Sequence, residues 1–378
     1  MKKIALLVGL AASLGFNNAQ AVDWNWKGDI RYRYQSDLAD YDSIDGENSR
    51  DRHRLRVRIG VYPWINEELS AGVQLSSGGT ETTSRNESLD DAFIADTILL
   101  NEAFIDYHPM WFDGNVNIIL GKRSVGSTLV TVNDLVWDSD LTFEGATLQY
   151  GKDGFGKEKD GLNAVAGYYF LKEEKVVSPD DAKDAYLFAG QLGYKTEVSD
   201  IRVMLGVGYY DYINFNKSYS SGNPFKNAVN YIQKDFNIVE IFGNVGGQIT
   251  ETLPWKITAQ YAFNTASQAD WPTVGPNTGI DDSKRDSYLV ELMVGDAKQP
   301  GQWSLYGDYV YIERDAMTAF TDSDRFDGLG TDLEGFKIGL VYHLVQNLTL
   351  GFTYFNFQQI DVDSPRVHTF MADAVVKF

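Results

Sequence analysis

The sequence predicts an all-β fold: a transmembrane antiparallel up-and-down β-barrel of about 16 strands. Three observations predict it. Segments with apolar residues at every second position recur along the whole chain, and the connections between them alternate between long and short. Beyond the N-terminal residues, no apolar run reaches the ~18 residues that a membrane-spanning helix needs. Aromatic residues make up 13% of the chain and glycine occurs 35 times, which is typical of β structure in a membrane.

Residues 1–21 have the pattern of a secretory signal peptide. Lys2 and Lys3 form the basic start, Ile4–Leu14 is apolar, and Ala19-Gln20-Ala21 is a small-x-small cleavage site. The apolar run is too short to be a bilayer-spanning anchor. Cleavage would leave residues 22–378 as one barrel domain. It would remove two lysines and no acids, which changes the formal net charge from −20 to −22.

The segment Arg50–Trp64 shows the strand pattern most clearly. Four aliphatic residues alternate with four arginines, and successive side chains of a strand point to opposite faces. In a soluble protein this pattern indicates an edge strand with a solvated basic face. In a membrane barrel it indicates a lipid-facing side and a water-filled lumen. The second interpretation is favoured because the other segments repeat the pattern.

Sixteen such segments follow one another, each with about the length that a tilted membrane strand needs. The facing of the seventh segment is ambiguous from its sequence. The segments are Trp24–Ser36, Arg50–Trp64, Glu68–Ser77, Ile98–Tyr107, Asn115–Arg123, Leu141–Gly151, Leu162–Leu171, Tyr186–Lys195, Asp200–Tyr212, Phe236–Ile249, Pro254–Asn264, Arg285–Gly295, Gln302–Glu313, Glu334–Leu344, Leu348–Phe357 and Val367–Phe378.

The connections between the segments alternate in length along the chain. The short ones centre on segments such as Pro63–Glu67 and Val345–Asn347, and the long ones are polar and acidic, such as Ser124–Asp140 and Arg314–Leu333. The connection Lys152–Gly161 is longer than the other turns. Outer-membrane barrels combine short periplasmic turns with long outer loops. An even number of strands therefore places both termini on the periplasmic side.

Two features resemble known families. The last segment, VHTFMADAVVKF, ends in Phe378 and resembles the terminal strand of Gram-negative outer-membrane barrels, which the assembly machinery recognises. The segments LNEAFIDYHPMW, NIILGKR and VWDSDLTFEGATLQY resemble a bacterial family of putative porins. The resemblance implies a transport class, homotrimers and a long loop after the fifth strand that folds into the lumen. Here that loop is Ser124–Asp140, which lacks the PEFGG-like sequence of general enteric porins.

We expect function to depend on the side chains that line the lumen, because a 16-stranded barrel leaves an aqueous channel. Arginines on the first two strands form a basic wall, and carboxylates lie on the fourth strand and on the loop after the fifth. If the loop folds inward, the two signs of charge face each other across a constriction. The predicted pore-lining residues are Arg31, Arg33, Arg52, Arg54, Arg56, Arg58, Glu102, Asp106, Arg123, Asp134, Asp138, Asp140, Arg202, Glu240, Lys256 and Lys337.

The charges of the chain predict two opposite ion selectivities. The arginines favour anions locally, whereas the net negative charge favours cations. We attribute that acidity to solvated outer loops and give the mid-strand arginines more weight. The simpler interpretation is that these charges pair with each other and only keep the lumen wet. The acidic loop residues are Asp37, Asp40, Asp42, Asp45, Glu47, Asp322, Asp324 and Asp327.

The predicted function is passive diffusion of small hydrophilic solutes or ions through the outer membrane of a Gram-negative bacterium. The expected partners are outer-membrane lipid and lipopolysaccharide, the barrel-assembly machinery through Phe378, and two further copies in a homotrimer. An adhesin or structural barrel without conductance is the main alternative, and a secreted soluble β-sandwich lectin is another. The acidic balance argues against nucleic acid as a partner.

No enzymatic or cofactor chemistry is predicted. The four histidines, at positions 53, 108, 343 and 368, have no metal-ligand spacing and no nucleophile motif around them. Gly151–Glu158 nearly matches a phosphate-binding loop, but the Ser or Thr after the lysine is missing and no helix follows. The segments 40–46 and 322–328 resemble calcium loops but lack the required ligand spacing, so we expect solvated loops there.

Overall fold

The structure is a computed structural model. It describes residues 22–39, 48–79, 81–90, 93–151, 159–173, 183–215, 235–266 and 284–378. The predicted signal peptide, the glycine-rich turn after Gly151, and the acidic residues Asp40, Asp42, Asp45 and Glu47 lie outside the described residues.

Sixteen long antiparallel strands form the barrel, and each coincides with one of the predicted segments to within three residues. They are β1 (Asp23–Ala39), β2 (Asn48–Asn66), β3 (Leu69–Ser76), β4 (Leu99–Tyr107), β5 (Val116–Ser124), β6 (Thr142–Tyr150), β7 (Gly161–Lys172), β8 (Ala185–Val198), β9 (Ile201–Ile213), β10 (Asn237–Thr250), β11 (Leu253–Asn264), β12 (Asp286–Gly295), β13 (Trp303–Ile312), β14 (Leu333–Val345), β15 (Leu348–Gln359) and β16 (Val367–Lys377).

The sheet closes because β1 pairs with both β2 and β16. At this seam the backbone N–H of Gly28 donates to the carbonyl of Phe378 at 2.8 Å, and the N–H of Phe378 donates back at 3.1 Å. Closure leaves no sheet edge whose backbone groups would have to face lipid without partners. It excludes the two-sheet sandwich that the lectin alternative requires.

The strands alternate between an apolar outer face and a second face that points into the barrel. Along β1, Ile30, Tyr32 and Tyr34 are exposed on the outside, whereas Asp29 and Arg33 are buried inside. This alternation is what a barrel wall between lipid and lumen requires.

The secondary structure of the described part is almost entirely β. No described helix has the length and apolar character needed to cross a membrane. The helical pieces are the single turns Trp111–Gly114, Val125–Thr128 and Phe326–Gly328, and a two-residue strand, Glu87–Ser88, pairs with β2.

An apolar core lies inside the barrel. It occupies the side formed by β6 to β10 and continues along inward residues of β11 to β16. Inward-facing Val165 and Tyr169 of β7 and Leu187 of β8 pack there with Trp137 and Phe320, which come from two connecting loops. This arrangement explains the ambiguous facing of the seventh segment, because both faces of β7 carry apolar residues. One face meets lipid and the other meets the internal core.

Candidate functional site

The 125–141 loop, which follows β5, runs into the barrel and is held by the wall at β8 and β9. The backbone N–H groups of Val130 and Thr131 both donate to Gln191 Oε1 of β8, at 2.7 and 3.2 Å. The ring of Trp137 packs edge-on against Tyr210 of β9, with the ring centroids 5.0 Å apart. Because Trp137 is only 3% exposed, it fixes the second half of the loop in the apolar core.

The 313–332 loop, between β13 and β14, also folds inward and joins the first loop. Its Phe320 stacks on Trp137 at a centroid distance of 6.0 Å, and the N–H of Asp138 donates to the Phe320 carbonyl. Arg325 is completely buried and donates to the main-chain carbonyl of Asp134 at 2.8 Å. The two loops therefore form one internal structure.

The position of this second loop corrects the prediction that Asp322 and Asp324 lie in a solvated outer loop, whereas the side chain of Asp327 lies outside what the structure describes. Asp324 accepts a hydrogen bond from Arg33 Nη1 at 2.8 Å, and Asp322 Oδ2 lies 3.5 Å from Lys337 Nζ. Asp37 belongs to β1 and pairs with Arg52 at 2.5 Å. The loop turns inward because its apolar residues fill the internal core and its carboxylates neutralise inward-facing cations.

The arginines of β1 and β2 mostly form direct ion pairs. Arg56 Nη2 and Arg58 Nε approach the two carboxylate oxygens of Asp29 at 3.0 and 2.6 Å. The same two arginines reach Asp140 of the 125–141 loop at 3.6 and 3.3 Å. Asp140 therefore ties the end of the loop to the arginine wall.

Three more arginines of the wall differ in their partners. Arg33 pairs with Asp373 of β16 at 2.8 Å as well as with Asp324. Arg54 donates to Gln35 at 3.1 Å and to Ser84 at 3.3 Å, and Arg31 donates to Asn86 at 2.5 Å. Within the described part of the chain, neither Arg31 nor Arg54 has a carboxylate oxygen within 4.0 Å. They are the wall's two guanidiniums without an ion partner there.

Three predicted residues lie together on β4 and β5. Glu102 accepts hydrogen bonds from the Tyr62 hydroxyl at 2.6 Å and from the Ser124 N–H at 2.8 Å. Arg123 Nη1 lies 3.4 Å from Asp106 Oδ2, and both side chains are buried. These contacts fix the root of the 125–141 loop.

The other four predicted residues are spread around the inner face of the barrel. Lys337 pairs with Asp308 at 3.0 Å. Lys256 lies 3.5 Å from Glu291, and Arg202 is exposed near the short turn before β9. Glu240 is 1% exposed and accepts hydrogen bonds from Tyr210, Gln191 and Gln260, so it supports the loop anchor inside the apolar core.

Two polar cavities lie in the charged side of the barrel at successive positions along β1 and β2. The upper cavity, toward the long loops, has a volume of about 260 Å³, and the lower cavity, toward the short turns, about 330 Å³. Ser139 and Asp140 line both cavities. The upper one is lined among others by Arg31, Arg33, Arg56, Asp134, Asp138 and Lys337, and the lower one by Lys27, Arg58, Tyr62, Gln74, Glu102 and Arg123.

The loop carboxylates at the upper cavity titrate unusually. Burial raises the pKa of Asp134 to about 6. Burial also raises the pKa of Asp138, with the nearby charges of Asp322 and Asp140 acting in the same direction. Burial alone would raise the pKa of Asp324 as well, but the charge of Arg33 and its hydrogen bond outweigh burial and lower it. The negative charge at this cavity therefore changes near pH 6.

The geometry agrees with what the comparisons find. A family model described as "Putative porin" matches residues 16–275 and 232–378, which together cover most of the chain. The chain belongs to this porin family. It is an outer-membrane β-barrel of the Gram-negative type, and family and fold together point to a channel and not to an enzyme. No curated protein matches the sequence.

Solved porin structures share the fold at low sequence identity. OprB of Pseudomonas putida is 10% identical, with a TM-score of 0.57 and 94% of each chain covered. The anion-selective porin of Comamonas acidovorans is 10% identical, with a TM-score of 0.52, 95% of this chain and 100% of that chain covered. OmpF of Salmonella typhi in complex with daunomycin is 12% identical, with a TM-score of 0.52. The match covers 94% of this chain and 97% of that chain.

The sequence reasoning missed several residues of the site. Asp29 and Asp373 face inward. Strand alternation could have found them, since each is an even number of residues away from an inward-facing polar residue of its strand. Asp322 and Asp324 had no such signal, because nothing in a loop sequence states on which side of the wall the loop folds. The described residues contain no group of three or more acidic or histidine side chains that could hold a metal ion.

Proposed function

We propose that this porin is a passive diffusion channel for small hydrophilic solutes and ions, with an arginine-lined lumen and the acidic loop Ser124–Asp140. The observation that supports the proposal best is the pair of polar cavities that share Ser139 and Asp140. They follow the charged side of the barrel from the long-loop end toward the short-turn end, while the apolar core fills the other side. Solutes would therefore pass along one side of the lumen.

The residues that we propose to line this passage are those of the arginine wall, the loop carboxylates and Lys337. At the upper cavity the guanidiniums of Arg31, Arg33 and Arg56 come from the wall, whereas Asp134 and Asp138 come from the loop. Opposite charges on opposite sides orient polar solutes and penalise apolar ones. We infer that the arginines set the sign of selectivity, because they are charged at every physiological pH.

Single-channel conductance of the refolded protein in a planar bilayer tests this function. We expect stepwise ohmic conductance and, in a KCl gradient, a reversal potential displaced toward chloride. Arg56→Ala should move the reversal potential toward potassium, because it leaves Asp29 and Asp140 less neutralised. Arg202→Ala is the matched control: it removes an inward-facing arginine far from the upper cavity and should leave the reversal potential unchanged.

The competing function is that of an adhesin or structural barrel. A properly folded barrel that gives no conductance would contradict the channel and support this alternative. A reversal potential on the potassium side would keep the channel but overturn the role of the arginines.

We also propose the assembly state and the processing of the chain. Cleavage after Ala21 would leave one barrel domain, residues 22–378, which would form a homotrimer in contact with outer-membrane lipid and lipopolysaccharide. The barrel-assembly machinery would recognise the last strand through Phe378. That side chain is 53% exposed at the end of β16, which supports its availability.

A further inference from the structure

The upper cavity is lined in part by charged groups that make no direct ion pair with a described residue. Most of the charged side chains around it form ion pairs, as described for Arg33, Arg56 and Lys337. Three do not within the described residues: the guanidinium of Arg31 and the carboxylates of Asp134 and Asp138. Unpaired charges next to a small polar cavity are costly unless water or a solute compensates them.

Arg31 lies on the wall side of the cavity and keeps hydrogen-bonding capacity. It projects from the inner face of β1, where its Nη2 donates to Asn86 Oδ1 at 2.5 Å. Its buried Nε has no hydrogen-bond partner. A guanidinium presents several N–H groups in one plane and binds a carboxylate through two of them at once. Arg31 is therefore suited to the carboxylate of a solute.

Asp134 and Asp138 lie on the loop side of the same cavity. The carboxylate of Asp138 accepts backbone hydrogen bonds from Asp140 at 2.7 Å and from Ser323 at 3.1 Å. These bonds orient it and leave lone pairs unused, since a carboxylate can accept about four hydrogen bonds. Asp134 uses its main-chain carbonyl to bind Arg325, while its carboxylate accepts no hydrogen bond from a described residue. Asp134 is ionised above about pH 6 and can receive an ammonium group, and Asp138, whose pKa is raised by burial and by Asp322 and Asp140, can do so in its ionised form.

We propose that the upper cavity binds small zwitterionic solutes of the α-amino-acid class on their way through the channel. The solute's carboxylate would lie on Arg31, and its ammonium group on Asp134 and Asp138. This inference rests on the proposed channel function and names its substrate class. A simple anion or cation would satisfy only one side of the cavity, and the volume of about 260 Å³ accommodates a small amino acid.

The experiment measures how three related solutes reduce the KCl current through single channels at neutral pH. L-glutamine carries both charges, N-acetyl-L-glutamine only the carboxylate, and L-glutaminamide only the ammonium group. We expect saturable block by glutamine at the lowest concentration of the three. Arg31→Gln should raise the half-blocking concentration of glutamine about tenfold or more, the effect expected when a charge-assisted bidentate contact is lost.

Two further variants make the assignment specific. Arg54→Gln removes the other wall arginine without an ion partner, which does not line this cavity, and should leave the block unchanged. The double variant Asp134→Asn, Asp138→Asn should weaken glutamine block and strengthen block by N-acetyl-glutamine. Arg31→Lys keeps the charge, and we expect it to restore part of the affinity.

The outcomes separate this inference from the channel function. A channel that conducts KCl but is blocked equally by all three solutes, or not at all, overturns the inference and leaves the channel intact. Equal effects of Arg31→Gln and Arg54→Gln also overturn it. Heat-modifiable migration of each variant on SDS gels, equal to that of the wild type, shows that the barrel has folded.

Discussion

The two sides of the lumen are filled differently. On the side of β1, β2 and β16, inward residues such as Arg33, Arg56 and Asp373 are charged and border water-accessible cavities. On the side of β6 to β10, inward residues such as Tyr169 and Leu187 are apolar and pack against loops. The difference shows that the inward residues of most strands match what fills the lumen beside them, which is cavities and charged groups on one side and apolar loop residues on the other.

The loops make this division possible. A barrel of sixteen strands is too wide for wall side chains to meet across it. Trp137 and Phe320 reach the centre from the loops and supply the missing apolar volume. The two polar cavities consequently lie on the charged side of the lumen.

Removing the side chain that fills the apolar side should give the largest effect. Trp137→Ala deletes a ring that contacts Phe143, Tyr210 and Phe320, and losing such a buried aromatic costs about 3–5 kcal/mol. We expect the 125–141 loop to detach from the wall, so that single-channel conductance rises and solute selectivity falls. Conductance and current noise in planar bilayers measure this directly.

The matched control for this variant is Trp303→Ala. Trp303 begins β13 and is 41% exposed on the outer face, so its removal should leave conductance unchanged. Wild-type conductance in Trp137→Ala would contradict the division of the lumen into two sides.

Acidification should have an intermediate effect and act only on the charged side. The pKa of Asp134 is raised to about 6, so this carboxylate is ionised above that pH and neutral below it. Lowering the pH from about 7.5 to about 5 removes negative charge while the arginines stay protonated. The reversal potential in a KCl gradient should therefore shift toward chloride.

Asp134→Asn tests the origin of this shift. The variant should be displaced toward chloride already at neutral pH and should respond less to acidification. A pH response as large as that of the wild type would assign the titration to other groups, such as Asp138.

Substitution of a residue on the outer face of the barrel should have the smallest effect on stability and conductance. Lys122 on β5 pairs with Glu144 on β6 at 2.6 Å, and the two side chains are 29% and 56% exposed. Lys122→Ala should change the unfolding free energy by less than about 1 kcal/mol, because exposed ion pairs contribute little. Urea unfolding and conductance should both remain close to wild type. A clear change in conductance would mean that the outer face influences the passage.

Strand positions could be predicted because they depend on local alternation. Leu55, Val57 and Ile59 alternate with arginines, and no distant contact is needed to interpret that pattern. The predicted bounds agree with the structure for the same reason. The seventh strand differs, because Val165 faces an internal core formed by distant residues, which the sequence of β7 alone does not disclose.

The arrangement of the site depended on contacts between residues far apart in the chain. Asp324 meets Arg33 although 291 residues separate them, and neither local sequence specifies the partner. Alternation along β10 predicted that Glu240 points into the lumen. Its surroundings in the core, however, depend on Gln191 and Tyr210 from other strands. Alternation gives the direction of a side chain, whereas its neighbours depend on the tertiary fold.

The seam between β1 and β16 has a consequence for the order of assembly. Arg33 lies at this seam and binds Asp373 across it and Asp324 in the 313–332 loop. Asp373 is on β16 and Arg33 is on β1, so this triad can be complete only after the two strands have paired and the wall has closed. An unclosed barrel would lack one arm of the triad and would hold the second loop less firmly. The proposed passage would therefore reach its final shape late in maturation, when β1 and β16 have paired.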